Sequence, residues 1–136
     1  MIALTEDIAT ALRIRRIVFV EEQGIALEED VDGKDESAIH LLATDQSEVT
    51  GTARILMADG VGKIGRVAVL KEFRGAGIGK ALIEFAVAEI ALRGGHEARL
   101  GAQVTAIGFY EALGFEAVGE EFLDAGLPHQ EMVCAI

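Results

Sequence analysis

Arg74-Gly75-Ala76-Gly77-Ile78-Gly79-Lys80, followed by Ala81 and Leu82, is the stretch whose residue types most directly suggest chemistry. Glycines beside a lysine suit a phosphate, because backbone without side chains can aim several N–H groups at one anion. Two familiar devices share this outline and fail on spacing. A phosphate loop needs G-x-x-x-x-G-K and then Ser or Thr. Here Gly75 to Gly79 is one residue short, and Ala81 stands where the metal-binding hydroxyl belongs. A dinucleotide fingerprint counted from Gly75 and Gly77 puts its third glycine at Lys80.

The missing cap residues say what the stretch can do. A helix start leaves four backbone N–H groups without partners, usually met in part by Ser, Thr, Asp or Asn. None of those four types occurs between Asp59 and Thr105. A helix beginning near Gly79 therefore has no side-chain cap, and its positive dipole end favours an anion by roughly 0.3–1 kcal/mol. Arg74, Lys71 and Lys80 add local positive charge. The plain alternative is a tight strand-to-helix turn whose free amides bind water.

The elements that must hold this stretch follow from periodicity. Residues 7–23 read as a helix with Asp7 as cap and Ile8, Ala11, Leu12, Val18 and Phe19 on one face, ended by Gly24. An acidic, turn-rich loop, LEEDVDGKDES, leads to a strand at AIHLLA and a turn at TDQSE. VTGTARILM and GKIGRVAV read as two strands of a hairpin turning at Asp59-Gly60. The helix IGKALIEFAVAEIALR follows, with Glu89 and Arg93 spaced to pair and Gly94-Gly95 as its stop. ARLGAQV is a strand, and TAIGFYEAL a short helix with Thr105 as cap and Gly114 as end. Two strands, near 115–122 and 128–135, close the chain, with Pro128 at a strand start where proline is allowed. The order implies a mixed α/β fold in one domain over residues 1–136.

Composition narrows the partners. Twelve basic against 23 acidic residues give a net charge of −11, a field that repels nucleic acid and anionic membranes. The only cysteine, Cys134, excludes an internal disulfide and a cysteine zinc site. Asp30 and Asp32 begin like a calcium loop, but Lys34 and an early glycine break it, so no metal is expected. Neither a leader-like start nor an apolar run of about 18 residues is present, so the expected location is cytoplasmic.

Arg74, Gly77 and Gly79, between the strand GRVAV and a helix, fit R/Q-x-x-G-x-G/A, and AQVTAIGFYEALGFEAVG follows in order. In these two blocks the chain resembles the GCN5-related N-acetyltransferases (GNAT). VFVEEQ and GLPHQEM are similar to the small bacterial ElaA/YjcF-like branch. The resemblance implies a mixed, mostly antiparallel central sheet flanked by helices and splayed between the strand before the glycine loop and the next one. It implies acetyl-coenzyme A as donor, its pyrophosphate on the amides of Arg74, Gly75, Ala76, Gly77, Ile78, Gly79 and Lys80. The backbone of Val67, Ala68 and Val69 would hold the pantetheine arm, with Phe109 as a core or wall residue. Gln103 stands where many relatives carry an asparagine that touches that arm.

The same resemblance places Tyr110, the only tyrosine, as the general acid that protonates the departing thiolate. A thiol near 8.5 and a phenol near 10 make that transfer uphill by about 2 kcal/mol, so the tyrosine helps without being indispensable. Glu21, Glu22, His40 and His129 are candidates for the base or acceptor side, because in this family the first helix and the last hairpin wall that side. Glu28, Glu29, Asp30 and Asp32 could gather a cationic acceptor. The expected activity is acetyl transfer from acetyl-coenzyme A to a small-molecule or peptide amine, by a monomer or homodimer. The alternatives are a non-enzymatic acyl-coenzyme A binder of the same fold and, third, a nucleotide-binding module.

Overall fold

A computed structural model describes residues Met1–Ile136, and three tight turns organise its sheet. Gln46-Ser47, Asp59-Gly60 and Ala125-Gly126 all have positive φ, the backbone that matches the twist of two-residue hairpins. In chain order the elements are β1 (Ile2–Thr5), α1 (Ile8–Arg15), α2 (Leu27–Asp30), β2 (Ile39–Asp45), β3 (Glu48–Ala58) and β4 (Val61–Val69). They continue with α3 (Ile78–Leu92), β5 (Glu97–Gln103), α4 (Ile107–Glu111), β6 (Glu116–Asp124) and β7 (Leu127–Ala135). The seven strands form one sheet in the order β1-β2-β3-β4-β5-β7-β6. Every pairing is antiparallel except β4 with β5.

Alternation along the strands sorts residues onto two faces. Ala53, Ile55 and Ile64 join Leu82, Ile83, Ala86 and Ile90 of α3 in the main core. Burying one such Leu or Ile contributes about 1.5–3 kcal/mol. Thr52 and Arg54, the intervening residues of β3, point to the other face, where α1 buries Ala11 and Ile14. Close approach of α3 to β4 depends on Gly62, where a Cβ would lie 2.4 Å from Ile90 Cδ1.

The splay has a local cause. β4 and β5 pair only through Val61–Lys63 with Glu97–Arg99. Beyond that, Arg54 of β3 pairs with Gly65 but Thr52 with Ala68, so Arg66 and Val67 together oppose Ala53. This is a β-bulge, with Arg66 at φ +51, and bulges bend their strand. β4 turns away while β5 stays paired with β7 as far as Gln103 and His129. The bulge also exchanges faces, so that Ala68 packs with Ile14 and Val18.

Three elements depart from the sequence-based expectation. Residues 2–5 carry too little alternation to announce a strand, yet they pair with β2. The helix expected over 7–23 is α-helical only to Arg15, with Asp7 Oδ1 capping the Thr10 N–H at 3.1 Å. Arg16–Glu22 is wound as a π-helix. Ile17, Val18 and Val20 are β-branched and crowd α-helical winding, and the wider turn lets Val18 pack against Ala68. Thr105 does not cap α4. It lies inside a 3-10 turn, Val104–Ala106, and α4 begins without a side-chain cap.

Candidate active site

Gly75 and Gly77 take left-handed backbone, φ +86 and +82, and this bends the chain from β4 into α3. Gly77 caps α3 with no side-chain bond. The amides of Gly75 through Lys80 donate to no backbone acceptor, the first bond of the helix being Ala81 N–H to the Gly77 carbonyl at 3.0 Å. A Cβ built on Gly75, Gly77 or Gly79 would meet no atom within 4 Å. The result is a run of free N–H groups at a positive helix end with open space beside its glycines, which fits an extended phosphate group.

These residues form one wall of a groove of about 450 Å³. The groove gathers Val67, Ala68, Val69, Arg74, Gly75, Gly77, Ile78, Gly79, Lys80 and Phe109 from the sequence-based set, together with Val18, Gln23 and Phe73. Ala76 is not in its lining, and Gln103 belongs to a neighbouring cavity. Arg74 is committed elsewhere: its Nε donates to the Val69 carbonyl at 2.9 Å and its two terminal nitrogens to Glu22. Lys80 is the cation of the lining that has no ion pair.

The gap between β4 and β5 opens into a second cavity of about 490 Å³. Its apolar lining includes Phe19, Ile25, Leu100, Phe122 and Leu127, and among its polar residues are Tyr110, His129, Gln103, Glu29 and Asp124. Tyr110 stands on α4 with its ring edge-on to Phe109 at 5.0 Å and to Phe115 at 6.1 Å. Burial pushes its phenol above the usual tyrosine range. His129 lies over Phe122, ring centroids 5.9 Å apart, and its Nδ1 is 2.8 Å from the Leu127 carbonyl. A carbonyl only accepts, so Nδ1 carries the proton, and on the neutral ring Nε2 keeps its lone pair.

The remaining candidates separate. Glu21 lines neither space. The hydrogen bonds from Arg74 hold Glu22 below the usual carboxylate range. His40 is buried, with Nε2 donating to the Asp35 carbonyl at 2.8 Å, and it faces neither space. The acidic loop is mostly internal wiring. Arg15, buried under it, binds Asp30 at 3.1 Å and Asp35 at 2.7 Å; Arg54 binds Asp32 and Asp35; Arg66 reaches Asp30 and Asp32 at 3.3 Å. Asp30 and Asp32 are thus neutralised, and Glu28 is outside the cavity. Glu29 and Asp124 line it with carboxylates in no ion pair. Gln23, the last residue of VFVEEQ, is given no site role by the sequence, yet it lines both spaces.

Residues 18–136 match the family described as acetyltransferase (GNAT) domain. The uncharacterized N-acetyltransferase YjcF of Bacillus subtilis is 38% identical over 130 residues, covering 94% of this chain and 92% of that protein. The crystal structure of an acyl-CoA N-acyltransferase from Pseudomonas aeruginosa superposes with a TM-score of 0.86 at 30% identity, covering 99% of each chain. Escherichia coli ElaA superposes with a TM-score of 0.84 at 30% identity, covering 98% of this chain and 99% of that one.

Proposed function

The chain belongs to the GNAT acetyltransferase family, in its small ElaA/YjcF-like branch, and from that premise we propose that it transfers acetyl from acetyl-coenzyme A to a primary amine by direct attack. Tyr110 is the acid and His129 the base. The observation that carries the reading is the meeting of two spaces, a groove walled by free amides and a cavity lined by Tyr110 and His129.

The donor supplies an activated acyl carbon and a thiolate leaving group. The amides of Gly75 through Lys80 hold its pyrophosphate, and the open edge of β4 at Val67–Val69 takes the pantetheine arm. His129 Nε2 accepts the proton of the attacking nitrogen. That proton matters, since an amine near pKa 10.4 is neutral only about once in 2500 molecules at pH 7. The nitrogen lone pair forms the new C–N bond, the C–S bond breaks with its electrons on sulfur, and Tyr110 Oη gives its proton there. An ammonium acceptor has two protons to lose: His129 passes the first to bulk water before attack, takes the second from the nitrogen as the C–N bond forms, and returns that second proton to the phenolate through cavity water. Burial keeps Tyr110 protonated at neutral pH but makes its transfer steeper than the free groups imply.

His129 is favoured over Glu22 and His40 because its Nε2 is free to accept, while both Glu22 carboxylate oxygens are held by Arg74 and His40 is buried away from the cavity. His129→Gln is expected to lower kcat/KM for an amine by about 100-fold or more, with acetyl-coenzyme A affinity unchanged. Full activity in that variant would move the base elsewhere.

A further inference from the structure

Two residues line both the groove and the cavity, Gln23 and Val67. They stand at the seam where an acyl donor in one space meets an acceptor in the other. Val67 brings bulged backbone to it. Gln23 brings a primary carboxamide on an exposed residue. Its own backbone is committed, the N–H donating to the Val18 carbonyl at 3.2 Å, whereas the side chain bonds to no protein group. That i to i−5 bond is the last of the π-helix, so its wider winding sets the direction in which Gln23 leaves the helix. Continued α-helical winding would carry it onto another face.

Acyl transfer puts negative charge on the carbonyl oxygen, and an N–H donor within reach of it stabilises the charge as it develops. The arginines nearby are already spent: Arg66 on Asp30 and Asp32, Arg74 on Glu22. The Tyr110 proton is destined for sulfur. We infer that the Gln23 carboxamide donates a hydrogen bond from Nε2 to the acetyl carbonyl oxygen at this seam, making Gln23 a catalytic residue. The inference rests on the acetyl-transfer reading above.

Gln23→Met keeps the length of the side chain and removes both N–H donors. The probe is acetyl-coenzyme A labelled with carbon-13 at the acetyl carbonyl, followed by infrared spectroscopy when bound to each protein. The wild type is expected to move the carbonyl band below its free frequency, and the variant to lose most of that shift while keeping its melting temperature. With a reactive amine, kcat is expected to fall by about 100-fold in the variant. Identical bands in the two proteins, no shift in the wild type, or no binding at all would overturn the inference. A wild-type shift that disappears in Gln23→Met, without acetylation of any amine, would leave the contact standing and remove the transferase reading instead.

Discussion

At the scale of single residues, the site depends on which polar groups the protein has already used. Tyr110 lines the cavity between β4 and β5 with a hydroxyl that bonds to no protein group, and Tyr110→Phe is expected to lower kcat by about 10- to 1000-fold with acetyl-coenzyme A affinity nearly unchanged. Unaltered turnover in a steady-state assay would remove Tyr110 from the chemistry. Asp32 and Asp35 are the opposite case, used up by structure. Arg54 holds Asp32 far below the usual carboxylate range. Burial works to raise Asp35, but the hydrogen bonds from Arg15 and Arg54 prevail and leave it lowered. Carboxylates with depressed folded pKa values stabilise fully above the unfolded value, near 3.9, and lose that contribution as pH falls from there through the folded values. The melting temperature is therefore expected to fall steeply below about pH 4, and Asp32→Asn to flatten that acid limb. An acid limb of the same slope in the variant would contradict the assignment.

At the scale of elements, the glycine turn separates conformation from propensity. Gly77 needs its left-handed backbone, so Gly77→Ala is expected to cost about 1–2 kcal/mol in chemical denaturation and to weaken coenzyme A binding. Gly79 lies in the first turn of α3 with ordinary φ and open space at its Cβ position. Gly79→Ala is accordingly expected to be neutral or to stabilise by up to about 0.5–1 kcal/mol. Equal losses in both variants would mean that space, not backbone conformation, governs the turn. Much of this element is legible in the sequence, because missing caps and glycine spacing are local facts, as are the three hairpins and the Glu89–Arg93 pair, which forms at 2.7 Å. What is not legible depends on partners distant in the chain. The acidic loop reads as a solvated cation trap until Arg15, Arg54 and Arg66 are brought under it from three other elements. Arg74 lines the groove as the sequence suggests, but its pairing with Glu22, 52 residues away, is not legible there. Gln23 is legible only as the end of VFVEEQ, since its place at the seam follows from π-winding and a bulge that sequence periodicity does not encode.

Across the whole molecule, the fold converts one backbone irregularity into a place for transfer. The bulge in β4 opens the sheet, the uncapped end of α3 walls one side of the opening, and α4 with the β6–β7 hairpin walls the other. No helix is long and apolar enough to cross a membrane. A net charge of −11 surrounds the site and favours approach of cationic acceptors. With Asp30 and Asp32 neutralised, that role falls to Glu29 and Asp124 at the cavity. Glu29→Lys and Asp124→Lys are each expected to raise KM for amines several-fold at low salt, with the difference shrinking as the Debye length falls to about 8 Å near 0.15 M. A KM that ignores both charge and salt would contradict it.

Transfer itself is read by a thiol-release assay with acetyl-coenzyme A across small amines and peptide N-termini, with mass spectrometry of the acceptors. At least one amine is expected to gain an acetyl group for each thiol released. Acetyl-coenzyme A bound tightly, with no acceptor acetylated and no thiol released, would contradict transfer and make the protein an acyl-coenzyme A binder.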